Sequence, residues 1–217
     1  MINTIIVGFG LAGFNYARVL QENQKDYLII SDDDLGSSRN AGGVFNPSIL
    51  KRYTLTWNSI EFFTKAFLKY KKFEKDYGDT IFYNLPIHHY FSKVSDQNNW
   101  SVAANKKELN RFFSSIIKNA NEKYLKGDYG YGTVKNVGKI NIPKMLEIFK
   151  NQLDSKTFLN ESFDYNKLII NEENLVYKGF KASKIVFCEG FGLKKNPWFS
   201  YLPLLGSKGE YIHIRTK

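Results

Sequence analysis

Apolar residues gather in short unbroken runs at the start of the chain and at spacings of three and four further on. Thr4-Ile5-Ile6-Val7 is largely β-branched and stops at a glycine, the pattern of a strand buried on both faces. Gly8-Phe9-Gly10-Leu11-Ala12-Gly13 follows. Phe14 to Asn23 then predicts a helix, with Ala17 and Leu20 on one face beside Gly13 and Tyr16. Tyr27-Leu28-Ile29-Ile30 reads as a second buried strand, closed by Ser31-Asp32-Asp33-Asp34. Together these make a complete βαβ unit, whose crossover should be right-handed.

The polar loop Gly36 to Gly43 leads to Val44-Phe45-Asn46-Pro47. Trp57, Ile60, Phe63, Phe67, Tyr70 and Phe73 then predict a long amphipathic helix over about 56–76, with lysines on its other side. Ile81-Phe82-Tyr83, the run around His89-Tyr90-Phe91 and Trp100-Ser101-Val102 read as short strands between polar turns. Lys106 to Ala120 reads as helix, with Leu109, Phe112, Phe113, Ile116 and Ile117 on one face, and the Gly/Tyr-rich stretch Gly127 to Gly132 as its break. Asn141 can cap a helix that has Pro143 in its first turn and Ile142, Leu146, Phe149 and Leu153 as its apolar stripe. Thr157–Phe163, Leu168–Ile170, Asn174–Tyr177 and Lys184–Phe187 are strand candidates, and the alternation over Gly209 to Ile214 reads as one more. There are no internal repeats or low-complexity tracts.

Composition narrows the classes. With 43% hydrophobic and 16% aromatic residues in 217, the chain carries enough apolar material for a core, which excludes wholesale disorder. That length suits one large domain or two small ones. No apolar run has the length of a membrane span, and Met1-Ile2-Asn3-Thr4-Ile5 lacks the basic region and cleavage site of a signal peptide. A single cysteine, Cys188, excludes an internal disulfide and fits a reducing cytoplasm. The expected surroundings are cytoplasmic, with no membrane partner. Lys+Arg 31 against Asp+Glu 21 gives a net charge of +10, which leaves nucleic acid open as a partner. The lysines are interspersed with acids, however, as in Lys69 to Asp76, and no nucleic-acid-binding motif stands out.

The glycine turn is the strongest chemical signal. Gly8 permits a tight turn, Gly10 lets backbone approach a pyrophosphate, and Gly13 lets the helix pack close to the strand. The N–H groups at Leu11, Ala12 and Gly13 open the helix and would meet the phosphate charge. Such a turn gains specificity by following a strand and opening a helix, as here. A ribose-binding carboxylate is due at the end of the second strand, about twenty residues on. Either Asp32 takes that role after a one-residue shift, or Ser31 does so through its hydroxyl. Asp32 is favoured, because hydrogen bonds to a carboxylate are the stronger kind. The turn alone leaves FAD and NAD(P) both open.

Ser38-Arg39-Asn40-Ala41-Gly42-Gly43-Val44-Phe45-Asn46-Pro47 resembles the segment after the second strand in the D-amino-acid oxidase/glycine oxidase family of flavoenzymes. It is especially similar to the branch that includes the oxidase half of the bifunctional tRNA wobble-uridine modification enzyme. Gly132-Thr133-Val134 through Asn141, Ile185 to Gly190, and Lys208-Gly209-Glu210-Tyr211-Ile212 resemble later family segments in the same order. The resemblance implies an α/β fold: an FAD/NAD(P)-binding, Rossmann-like parallel sheet with an inserted, mostly β substrate domain. The boundaries expected are 1–76 with 139–200 for the FAD-binding domain, and 77–138 with 201–217 for part of the substrate domain.

It also implies FAD as cofactor. Ser38 and Arg39 would lie near the pyrophosphate and ribose, with Ala41 in the same segment. Gly42 and Gly43 would lie flat near the isoalloxazine, Phe163 would offer backbone to the adenine edge, and Gly190 would end a strand beside the cofactor. The implied reaction is oxidation of the C–N bond of an amine or amino acid by hydride transfer to flavin, giving an imine that water hydrolyses, with oxygen reoxidising the flavin. No general base and no metal ligand are assigned. Family members run on to a closing segment over the flavin that has no counterpart here, so the chain reads as an N-terminal portion with weak or no retained FAD. Two other readings stand beside this one: an NAD(P)-linked dehydrogenase, and a non-catalytic fragment associated with RNA modification.

Other residues carry less. His88 and His89 are adjacent, so on a strand they point to opposite faces and do not readily share a metal. Cys188 on a buried strand reads as a small hydrophobe rather than a nucleophile. Tyr83, Tyr90 and Tyr131 could line a pocket, and Lys51-Arg52 could meet an anionic substrate group or simply face solvent.

Overall fold

The computed structural model describes residues 1–32, 36–121 and 126–215. Asp33 and Asp34 of the acidic strand terminus lie outside them. In chain order the elements are β1 (Ile2–Val7), α1 (Leu11–Glu22), β2 (Tyr27–Ile30), α2 (Ser37–Asn40), β3 (Val44–Phe45), β4 (Ser48–Ile49), β5 (Thr54–Leu55) and α3 (Ser59–Tyr77). There follow β6 (Phe82–Tyr83), β7 (Ile87–Tyr90), α4 (Val94–Ala104), β8 (Phe113–Asn121), β9 (Lys126–Val134) and β10 (Gly138–Ile140). The last are α5 (Ile142–Asn151), β11 (Phe158–Leu159), β12 (Leu168–Ile170), β13 (Leu175–Tyr177) and β14 (Phe180–Phe187). The chain divides into two compact units, one of Met1–Ala41 with Ile142–Tyr211, the other of Gly42–Asn141 with the end of the chain.

The first unit is built on a six-stranded sheet ordered β11-β2-β1-β14-β13-β12. β11, β2, β1 and β14 run parallel, and β12 and β13 complete the sheet as an antiparallel extension of β14. Burial on both faces explains the unbroken apolar runs: Ile5, Ile6, Leu28, Ile29 and Ile30 are all fully buried. Ile142, Met145, Leu146 and Phe149 form the buried stripe of α5, and the rings of Phe9 and Phe14 pack on Phe149 at centroid distances of 6.1 and 5.2 Å. α5 leads into β11, which lies beside β2, so Gly42–Asn141 of the second unit falls, in sequence, between two neighbouring strands of the first.

The second unit holds two three-stranded sheets, β7-β9-β8 and β3-β10-β6, the β4-β5 pair, and the helices α3 and α4. Its core is aromatic, around Tyr53, Phe91, Trp100, Phe112 and Phe113. α3 belongs to this unit, since Ile60 and Phe63 pack against that core. The division therefore falls after Ala41, well before the boundary at residue 76 expected from sequence.

Three local expectations in this unit are corrected. Trp100-Ser101-Val102 lies in α4, not in a strand. Lys106 to Ala120 is a set of turns followed by β8, although its apolar spacing suits a helix. Gly127 to Gly132 is the interior of β9. Trp100 links the three segments. Its indole is fully buried, stacks on Phe113 at 4.4 Å and donates from Nε1 to the Ser114 carbonyl at 2.8 Å. Burying such a side chain is worth about 1.5–3 kcal/mol, more than the roughly 0.7 kcal/mol that separates ordinary residues in helix propensity. Gly132 makes this packing feasible, because a β-carbon there would stand 2.2 Å from the indole Cε2.

Gly209 to Ile214 is also corrected: it forms no strand among the described residues, and Tyr211, Ile212 and Ile214 are exposed. Alternation marks a face, but a strand exists only through a ladder with a neighbour.

Candidate nucleotide-binding site

The C-terminal ends of β1, β2, β11 and β14 meet at one edge of the first unit's sheet. Gly8 donates from its N–H to the Ile30 carbonyl at 2.8 Å, Ser31 to that of Leu159 at 3.1 Å, and Cys188 to that of Val7 at 2.6 Å. In an open parallel sheet, this edge is where ligands bind.

The glycine turn sits on that edge, and its glycines have different neighbours. Gly8 has φ +97°, and a β-carbon there would stand 2.5 Å from the Cys188 carbonyl oxygen. A β-carbon at Gly13 would stand 2.0 Å from the Gly8 carbonyl oxygen, so α1 lies directly on the turn. At Gly10 the neighbour is a side chain, Ser38 Oγ, at 2.9 Å from the β-carbon position. Gly10 is also the N-cap of α1, with no side chain to cap it. The first N–H groups of a helix have no acceptor within it. Ser38 Oγ accepts from the Leu11 N–H at 3.0 Å, taking the place of the missing cap. The turn thus presents helix N–H groups and the Ser38 hydroxyl together at one point, a fitting cradle for an anionic pyrophosphate.

Ser31 and Asp32 separate cleanly. The Ser31 hydroxyl accepts from the Phe9 N–H at 3.2 Å and donates to the Asp32 carbonyl at 3.0 Å, so it is committed to holding the turn. The Asp32 carboxylate is exposed and accepts from the Ser162 hydroxyl. Ser162 had no signal in the sequence, being 130 residues from its partner.

On the far side of the edge, Glu189 accepts from the Tyr165 hydroxyl and, at 2.8 Å, from the amide of fully buried Asn196. Burial and this contact with Glu189 raise the Tyr165 phenol well above its ordinary pKa. Burial also raises the Cys188 thiol, reinforced by the Glu189 charge, in keeping with an inert rather than a nucleophilic cysteine.

No protein-family model matches the chain. Its structure is similar to that of a point variant of NikD, an unusual amino acid oxidase essential for nikkomycin biosynthesis (13% identity, TM-score 0.65, 89% of this chain and 52% of that one). It is likewise similar to glycine oxidase from Bacillus cereus (13%, 0.61, 86% and 55%) and to L-proline dehydrogenase from P. horikoshii (10%, 0.65, 93% and 56%). The fold is that of the amino-acid oxidases. The chain spans about half the length of these structures, from 52% to 56%.

Within this oxidase fold the other sequence-derived candidates take definite places. Ser38 and Arg39 stand on α2, which ends just before Ala41. Gly42 and Gly43 belong to the second unit. Gly43 has φ +71° and lies against β10, where a β-carbon would meet the Ile140 carbonyl oxygen at 2.0 Å. The Phe163 ring stacks on buried Tyr177 at 4.4 Å, so its side chain serves the core. Phe163, expected to end that strand, instead lies beyond β11, which stops at Leu159. Gly190 is exposed, with φ +55° and open space at its β-carbon position.

In the second unit, the imidazole of His88 stacks on Tyr131 at 4.6 Å, while His89 Nε2 faces the Tyr53 hydroxyl at 3.1 Å. Burial lowers the His89 pKa, with Asp96 pulling the other way. Lys51 and Arg52 are exposed.

Proposed function

We propose that this chain carries the nucleotide-binding part of an FAD-dependent oxidoreductase that oxidises the C–N bond of an amine or amino acid to an imine. The observation that carries the reading is the turn from Gly8 to Gly13, set at the C-terminal edge of a parallel sheet, with Ser38 as the side chain that meets Gly10 and the Leu11 N–H. The N–H groups of Ala12 and Gly13, with the Ser38 hydroxyl that accepts from Leu11, would hold a pyrophosphate. Asp32 would take the ribose hydroxyls, and Gly190 would let the chain pass close to the cofactor. The likeness to amino-acid oxidases supports FAD over a nicotinamide dinucleotide and an amine over other substrates. When bound, the flavin would supply the acceptor for the hydride, and so the two electrons, lost from the carbon beside the nitrogen.

Titration of the protein into FAD, followed by quenching of flavin fluorescence, tests the cofactor. Saturable binding, displaced by ADP and lost in Gly10→Val, is expected. Binding of NAD or NADP without FAD would replace this reading by a nicotinamide-linked dehydrogenase. Absence of any dinucleotide binding would overturn it. Reduction of an electron-acceptor dye with glycine, proline and simple secondary amines tests the substrate class.

A further inference from the structure

We propose that Ser162 is a positioning residue for Asp32 and so governs how the protein grips an adenosine ribose. This rests on the nucleotide-binding reading above.

The placement begins with strand register. β11 lies parallel beside β2, with Phe158 opposite Ile29 and Leu159 opposite Ile30, so both chains leave the sheet at the same edge. Ser162 and Asp32 stand just beyond those strand ends, and the Ser162 hydroxyl donates to Asp32 Oδ2. A carboxylate has about four lone-pair sites. With Oδ2 engaged, Oδ1 is left to accept from a ribose hydroxyl, in the stronger, charge-assisted kind of hydrogen bond. An exposed aspartate that had to be fixed only on ligand binding would lose side-chain freedom at that moment. The bond to Ser162 removes that loss in advance.

Ser162 is itself held from both sides. The preceding Glu161 carboxylate pairs with Lys178 Nζ at 2.6 Å and lies 3.4 Å from the Tyr177 hydroxyl. The following Asp164 donates its N–H to that same hydroxyl at 3.1 Å. Tyr177 is fully buried on β13, and Lys178 opens the turn between β13 and β14. The segment carrying Ser162 is therefore tied at two points to the sheet that carries Asp32. Ser162 and Asp32 are both exposed, so substitutions at either cost the fold little.

Isothermal titration of the full chain with ADP and with 2′,3′-dideoxy-ADP tests the proposal. Ser162→Ala should weaken ADP about three- to tenfold, the worth of one hydrogen bond, and leave dideoxy-ADP unchanged. Ser162→Thr, which keeps a hydroxyl, should restore ADP binding. In an Asp32→Ala background, Ser162→Ala should have no further effect. Equal weakening of both ligands, or additive losses in the double variant, would show that Ser162 only braces the loop and would overturn the proposal. Equal affinity of the unaltered protein for ADP and dideoxy-ADP would overturn it as well, while leaving the nucleotide-binding reading intact. Failure of the unaltered protein to bind either would overturn both.

Discussion

Gly13 lies so close over Gly8 that a β-carbon on it would stand 2.0 Å from the Gly8 carbonyl oxygen. The corresponding neighbour of Gly10 is the hydroxyl of Ser38, which rotates about a single bond. The same motif thus contains one glycine closed in by backbone and another closed in only by a side chain that can turn away.

Gly13→Ala should therefore damage the fold. Overpacking of this kind costs about 1–3 kcal/mol, and α1 has no way to retreat without leaving β1. Gly10→Ala should cost less stability, at most the roughly 1 kcal/mol of the Ser38 cap it displaces, yet bind FAD at least about tenfold more weakly, a loss of roughly 1.4 kcal/mol. Urea unfolding beside flavin titration separates the two. Equal destabilisation by both substitutions would contradict this division of labour.

Ser31 and Asp32 should part in the same pair of measurements. Asp32→Ala should lose about 1.5–3 kcal/mol of nucleotide affinity, the worth of a hydrogen bond to a charged group, with little change in stability. Ser31→Ala removes the acceptor of the Phe9 N–H and should cost about 1 kcal/mol of stability with a smaller effect on affinity. The reverse order would assign the ribose to Ser31.

In the second unit, Gly132→Ala should displace Trp100, since the added carbon would meet the indole at 2.2 Å. A loss of about 1–3 kcal/mol is expected. The emission of that buried tryptophan should shift to the red as water reaches it. Unchanged emission together with unchanged stability would mean that β9 and α4 lie further apart than described.

His89 gives a pH dependence of definite sign. Burial holds its folded pKa below the ordinary 6.5, so the folded unit prefers the neutral ring beside Tyr53. The unfolded chain takes up the proton first on acidification. The contribution is fully present above 6.5 and is lost as pH falls through the lower, folded value. Stability should decline as pH falls through 6.5, and less steeply in His89→Gln. An equal slope in the two proteins would place the titration elsewhere.

Some elements were legible because their determinants are local. β2 spans Tyr27–Ile30 as its apolar run indicates, and α5 starts at Ile142, where Asn141 and Pro143 mark a helix start. Phe113, Ile116 and Ile117 misled because their spacing fits a helix face, while β8 pairs with β9 and leaves Ile116 exposed. Nothing within that window distinguishes the two outcomes, because the deciding partner lies further along the chain.

The sequence by itself determined the strand, glycine turn, helix and strand at the start of the chain. Unbroken β-branched runs, glycines free of a β-carbon and a helix start all act within a few residues of one another. Only the tertiary structure decided that β11 lies beside β2, that Ser162 reaches Asp32 across 130 residues, and that Trp100 lies flat on Gly132. Those relationships depend on closing long loops. Their entropic cost is met by burying side chains such as Tyr177 and Trp100 against distant strands, and that gain exists only once the sheets have formed.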